Sequence, residues 1–200
     1  MDFGCGGGID VILAADKVGP DGMVIGIDFS PQMIDRAKQS VSEKGLEDRV
    51  HLHVAGLEKS GLPGGFADVV ISNCVVNLCP EKDAVYQEAF RILKPCGRMA
   101  ISDIVLAEDI EADLRQRFQS VWSGCLAGAV TQDNYWQTLG NAGFSELHTV
   151  VRHCLTPEEL AAMACCPGEE FCPPSSQEDL ALVEGKVASI KFTGTKPLLP

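Results

Sequence analysis

The stretch "DFGCGGGIDVILAADKVGPDGMVIGIDFS" (Asp2–Ser30) decides the fold. Its glycines at 4, 6 and 8 stand between a short apolar lead and a segment of helical period, "IDVILAADKV" (9–18), and the apolar run "MVIGIDF" (23–29) follows. Strand, glycine loop, helix and strand in that order form the first unit of a parallel sheet, whose ligands bind at the carboxyl ends of the strands. Gly4, Gly6 and Gly8 let the chain turn tightly and approach a ligand with its backbone, while the next helix turns its first N–H groups toward an anion. The fingerprint G-x-G-x-x-G would need glycine at 9, where Ile9 stands, so a nicotinamide nucleotide is disfavoured. Asp28 ends the second strand, where a carboxylate accepts both hydroxyls of a ribose. Loop and carboxylate together point to a nucleoside cofactor.

The same alternation continues outward. "VHLHVA" (50–55), "ADVVISN" (67–73) and "RMAISDIV" (98–105) read as strands, and "SPQMIDRAKQSVSEKG" (30–45) and "EKDAVYQEAFRILK" (81–94) as helices. Ser30–Pro31 is a capped helix start; Gly45 and the Pro95, Gly97 pair are stops. Helical material from about 111 to 142 leads to "SELHTVVRHC" (145–154), the helical "TPEELAAMA", and a last strand, "KVASIKFTGTK" (186–196). The two late strands fit an antiparallel closure of the sheet, and "CCPGEEFCPPSSQED" (165–179) reads as a loop. The fold class is α/β: a doubly wound, mostly parallel sheet with helices on both faces. It forms one domain over 1–200, with 1–105 the cofactor half and 106–200 the substrate-side helices and closing strands.

Composition narrows the function. A 200-residue chain that is 46% hydrophobic can bury a core. Its net charge of −12, with no clustered Lys and Arg, argues against nucleic acid. The longest apolar stretch, Ala67–Cys79, is interrupted by Asn73 and Asn77 and falls short of the roughly 20 residues that span a bilayer. No secretory signal opens the chain, and the reading is a cytoplasmic monomer that binds no membrane. Nine cysteines are an odd and high count, and in a reducing compartment they are thiols available to soft metals and metalloids.

Two cysteines stand in unusual phrases. "ISNCVVNL" places Cys74 just past a strand, at the carboxyl edge, and "WSGCLAGA" places Cys125 among small residues. Asp2 and Gly4 through Gly8 resemble the S-adenosylmethionine loop of class I methyltransferases, whose acidic residue on the second strand matches Asp28. The two cysteine phrases resemble the arsenite methyltransferase family, which has S-N-C-V-I-N-L and W-x-x-C-x-x-G-A at corresponding places. "EAFRILKPCGRMAISD" is similar to that family's next block, and the resemblance runs from the first residue to about Phe144, more loosely into "VASIKFTGTKP".

The resemblance implies a Rossmann-like methyltransferase that moves a methyl group from S-adenosylmethionine to thiol-bound trivalent arsenic, with glutathione or thioredoxin as reductant. Soft As(III) prefers thiolates to oxygen ligands, which suits Cys74 and Cys125 as its holders. It further implies that Phe29 and Met33 flank the adenosine, Leu57 and Glu58 line the adenine side, and Asn73 approaches the methionine part. Taken alone, Met33 lies at helical spacing with Ala37 and suits core packing; Trp122 walls the arsenic pocket or anchors a helix. Cys165, Cys166 and Cys172 either relay arsenic or are incidental loop thiols. Cys5, Cys79, Cys96 and Cys154 read as small buried hydrophobes.

Only three residues precede the first glycine, whereas strands run about 5 to 6 residues. Family members carry helices and a further cysteine upstream, so the expectation is an amino-terminally truncated chain whose third thiolate comes from Cys165, Cys166 or Cys172. Two other readings share these residues: a small-molecule C-methyltransferase of the quinone-biosynthesis type, and a non-catalytic thiol-rich protein that sequesters arsenic.

Overall fold

The computed structural model describes residues 1–108, 126, 128–164 and 184–198. Its strands are β1 (Asp2–Phe3), β2 (Val24–Asp28), β3 (Val50–Val54), β4 (Ala67–Asn73), β5 (Leu93–Leu106), β6 (Ser145–Cys154) and β7 (Val187–Thr195). They form one sheet in the order β3-β2-β1-β4-β5-β7-β6. The first five are parallel; β7 lies antiparallel between β5 and β6. The helices are α1 (Ile9–Lys17), α2 (Pro31–Glu43), α3 (Lys82–Ile92), α4 (Gln132–Asn141) and α5 (Pro157–Ala164).

β1 is short but central. Asp2 and Phe3 pair with Gly26 and Ile27 on one side and with Ile71 and Ser72 on the other. The buried Ser72 hydroxyl donates to the Phe3 carbonyl at 2.9 Å, a side-chain bond that adds to the ladder. Two residues therefore suffice to fix where the glycine loop leaves the sheet.

Side chains alternate across a strand, and β2 divides them between two cores. Val24 packs with Cys5, Val11, Ala15, Ile34, Val41 and Val50 under α1 and α2. Ile27 packs with Phe3, Val70, Tyr86, Met99, Leu139 and Phe192 under α3 and α4. Helices thus cover both faces, as the apolar runs predict.

Local signals set the element ends. The Ser30 hydroxyl accepts from the Met33 N–H at 3.3 Å and Pro31 opens α2, whose end at Glu43 is followed by Gly45 at φ 63°. α3 stops at Ile92, two residues short of the sequence expectation, because a residue before proline disfavours the helical region and Lys94 precedes Pro95. Lys196 then donates to the Phe90 and Leu93 carbonyls at 2.7 and 2.8 Å, satisfying two acceptors at that helix end. The apolar stretch 67–79 is strand only to Asn73; a 3-10 turn, Val76–Leu78, follows. Part of the expected helical material (111–125) and the loop 165–179 lie outside the described residues.

Candidate cofactor and substrate site

The glycine loop leaves β1 at Phe3 and enters α1 at Ile9, with Gly4, Gly6 and Gly8 at φ 77°, 49° and 92°. These are left-handed conformations that a side chain disfavours. Gly4 is constrained a second way, because a Cβ there would lie 2.4 Å from Val75 Cγ1. The loop after β4 therefore packs directly on the glycine loop, and only the missing side chain makes room for it.

Asp28 ties this corner together. One carboxylate oxygen accepts from the Gly6 N–H at 3.0 Å, the other from the Ser30 N–H at 2.9 Å. The group is 7% exposed at the end of β2. A carboxylate has about four lone-pair sites, so each oxygen keeps acceptor capacity after holding the loop.

A cleft of about 500 Å³ opens here, lined by Gly4, Gly6, Asp28, Phe29, Met33 and Asn73 among others. Six residues predicted from the sequence thus share one wall. Phe29 is 70% exposed and Met33 42%, so neither is a core residue; the packing alternative for Met33 gives way to a position on the cleft. Gly8, Leu57, Glu58 and Asp2 do not line this cleft. Leu57 is buried in the main core, and Asp2 lies beneath the loop at 1% exposure. Burial first, then the neighbouring Asp10 and Asp28 carboxylates, push Asp2 up to about 7, against the opposing pull of the chain's amino group. Its Oδ2 has no hydrogen-bond partner among the described residues.

Cys74 is exposed at the carboxyl end of β4, next to Asn73 on the cleft wall. Its φ is 55°, a left-handed conformation uncommon for a residue with a Cβ, and its N–H donates to the Ser102 carbonyl at 2.8 Å. Such strain persists only where the surroundings fix it. Cys125, Trp122, Cys165, Cys166 and Cys172 lie outside the described residues.

The remaining thiols depart from expectation in part. Cys5, within the glycine loop, is buried, and that burial pushes its thiol up to about 12, as a packing residue should behave, though it also lines the cleft. Cys79 is half-buried, its thiol raised first by burial and then by Glu58. Cys96 and Cys154 are exposed instead of buried. Cys96 sits at φ 62° within β5, where pairing with β4 jumps from Leu93 to Arg98 and leaves the residues between bulged, and Cys154 ends the edge strand β6.

Sequence reasoning missed a buried polar group behind Cys74. Asp103, fully buried on β5, accepts from the Asn77 N–H at 3.2 Å, the Tyr135 hydroxyl at 2.7 Å and the Ile104 N–H at 2.9 Å. Asn77 donates to the Ile104 carbonyl at 2.7 Å and accepts from the Tyr135 hydroxyl at 3.1 Å. Burial raises Asp103 to about 6, with those three hydrogen bonds pulling the other way. Asp10 was also missed: it lies in the first turn of α1, lines the cleft and accepts from the Asn73 amide at 3.3 Å. A lone Asn or Asp inside an otherwise apolar run was the available signal.

A family model described as a methyltransferase domain matches residues 1–143. The chain belongs to the class I S-adenosylmethionine-dependent methyltransferases. In this methyltransferase the spare acceptor sites of Asp28 suit a ribose, and a loop whose glycines leave no Cβ in the way suits a bulky nucleoside, so the cleft fits the methyl donor of the class. Among curated proteins, the chain is 42% identical over 144 residues to an arsenite methyltransferase of Halobacterium salinarum, an alignment taking in 72% of this chain and 36% of that protein. It is 31% identical over 147 residues to human arsenite methyltransferase, covering 70% and 38%. The methyltransferase chain matches less than half the length of either relative. An arsenic(III) S-adenosylmethionine methyltransferase from Chlamydomonas reinhardtii has the same fold, with a TM-score of 0.77, 24% identity, and coverage of 100% of this chain and 63% of that one. No helix among the described residues is long and apolar enough to cross a membrane.

Proposed function

We propose that the protein transfers a methyl group from S-adenosylmethionine to trivalent arsenic held by cysteine thiolates. The observation that carries this reading is the position of Cys74: exposed, at a left-handed φ, between Asn73 and Val75, which both line the cleft. The arsenite methyltransferases to which the chain is similar point the same way.

When bound, S-adenosylmethionine supplies an electrophilic methyl group on a sulfonium. Asp28 holds the ribose hydroxyls, Gly4 and Gly6 let the backbone approach the ligand, Phe29 and Met33 flank the adenosine, and Asn73 faces the methionine part. Cys74 and Cys125 hold As(III) through sulfur, as soft ligands for a soft centre. With arsenic held by Cys74 and Cys125, its lone pair would face that methyl group; transfer would leave the donor a neutral thioether and arsenic formally oxidised by two electrons. A thiol reductant such as glutathione or thioredoxin returns it to As(III). The attacking atom carries no proton, so orientation is the chain's main contribution, an effect worth roughly 7 to 11 kcal/mol where geometry is ideal. Cys165, Cys166 and Cys172 are the candidates for a third thiolate.

Incubation with methyl-labelled S-adenosylmethionine and arsenite tests the reading. Labelled methylarsenicals are expected. Transfer only to a quinone precursor, or tight arsenite binding with no transfer, would replace it with the corresponding alternative.

A further inference from the structure

The loop 74–78 is gripped from both sides. At Val75 it meets the glycine loop, where Gly4 has no side chain to block it. At Asn77 it meets Gly128, where a Cβ would lie 1.8 Å from the Asn77 carbonyl oxygen and 2.9 Å from the carbonyl carbon. That second obstacle is backbone and cannot rotate away. Gly128 belongs to "CLAGA" (125–129), three residues after Cys125, just as Asn77 stands three residues after Cys74. The two cysteine phrases are therefore in contact through their third following residues.

The flanks of that contact are fixed. Leu126 and Ala129 are buried, the Leu106 N–H donates to the Val130 carbonyl at 2.9 Å, and the Thr131 hydroxyl caps α4 by accepting from Asn134 N–H at 3.2 Å. α4 carries Tyr135, whose hydroxyl reaches both the Asn77 amide oxygen and Asp103. Asn77 thus has its N–H, both functions of its side chain and its carbonyl face engaged at once. Lys82 adds a bond from its ammonium to the Asn77 carbonyl at 3.3 Å. A residue held this way is far more constrained than the packing of a short turn needs.

We infer that Asn77, held by Asp103 and Tyr135 and covered by the bare backbone of Gly128, is a positioning residue that fixes the approach of the Cys74 loop to the segment carrying Cys125. This rests on the proposed role of the two thiols in holding arsenic, and it adds what fixes the Cys74 loop against Gly128. Asn77 touches neither substrate nor cofactor; it acts through the backbone on which Cys74 sits.

The test uses the full chain and the variants Gly128→Ala and Tyr135→Phe. Its first readout is independent of arsenic: the rate at which the exposed Cys74 thiol is alkylated by iodoacetamide, read by peptide mass spectrometry, since thiol reactivity follows the local setting. Arsenite affinity and S-adenosylmethionine affinity are measured on the same samples, with folding checked by circular dichroism. Gly128→Ala should change the Cys74 rate severalfold and lower the arsenite affinity by about tenfold or more, and Tyr135→Phe should move both by a smaller factor, with cofactor affinity kept within about twofold, since a small misplacement weakens what depends on geometry. A folded Gly128→Ala protein with unchanged Cys74 rate and arsenite affinity overturns the inference. If that variant does not fold, an unchanged Tyr135→Phe protein overturns it instead. A Cys74 rate that responds to the variants in a chain that does not bind arsenite would sink the arsenic reading and leave the clamp standing.

Discussion

Replacing Asp28 by Asn isolates the carboxylate's two tasks. In the native loop it accepts two backbone N–H groups, from Gly6 at 3.0 Å and Ser30 at 2.9 Å. Asn keeps one acceptor oxygen and turns an NH₂ toward the other N–H, so one bond is lost and two donors face each other. Leaving a buried donor unsatisfied costs about 1–3 kcal/mol. For a chain of this size each kcal/mol moves Tm by roughly 2–4 °C, so Asp28→Asn should melt several degrees lower. Binding should suffer separately, because a ribose hydroxyl loses its charged acceptor, a bond worth about 1.5–3 kcal/mol or roughly 10- to 150-fold in affinity. Calorimetric titration with S-adenosylmethionine well below the melting transition reads the second effect, and a thermal scan reads the first. If Asp28→Asn lowers Tm but binds the cofactor within twofold of the unaltered protein, the carboxylate only braces the loop and its assignment to the ribose is wrong.

Other consequences are sharper in sign than in size. Gly4→Ala combines a left-handed φ with a Cβ 2.4 Å from Val75, so it should weaken cofactor binding about a hundredfold or more if it folds, measured by the same titration. Asp103 is raised to about 6 from an ordinary 3.8, so the native state binds that proton more tightly than the unfolded chain, and stability falls as pH rises from about 4 to 6. The fall is on the order of 3 kcal/mol. Denaturant unfolding across that range should show the slope, reduced in Asp103→Asn but not abolished, because Asp2 contributes in the same direction up to about 7. Lys196→Met leaves the Phe90 and Leu93 carbonyls without their donor and should lower stability by about 1–3 kcal/mol in the same unfolding assay, with cofactor affinity unchanged.

The parallel half of the sheet was legible because its strands are short Val- and Ile-rich runs between helices with clear caps, Ser30–Pro31 being the plainest. The cleft was legible where chemistry leaves a local mark: glycines in a fixed pattern, and a carboxylate closing an apolar strand. What escaped reading depends on tertiary neighbours. Leu57 and Glu58, which the resemblance sets on the adenine side, are not among the residues lining the cleft, and a turn's own letters do not say what packs over it. The general habit of cysteine makes Cys96 and Cys154 core residues, and the bulge and edge strand that expose them carry no distinct local signal. Asp103, Asn77 and Tyr135 lie far apart in the chain, so their network could be guessed only from polar letters interrupting apolar runs. Gly128 looked like one small residue among several; its meaning is the carbonyl it faces.

The central claim is that Cys74 presents trivalent arsenic to the methyl donor. Methyl transfer from labelled S-adenosylmethionine to arsenite, compared between the unaltered chain and Cys74→Ser at saturating cofactor, tests it most directly. The account predicts labelled methylarsenicals from the first and a rate lower by about a hundredfold or more from the second, since the replacement removes a soft ligand and the geometry it imposes. Equal rates from the two proteins would contradict it.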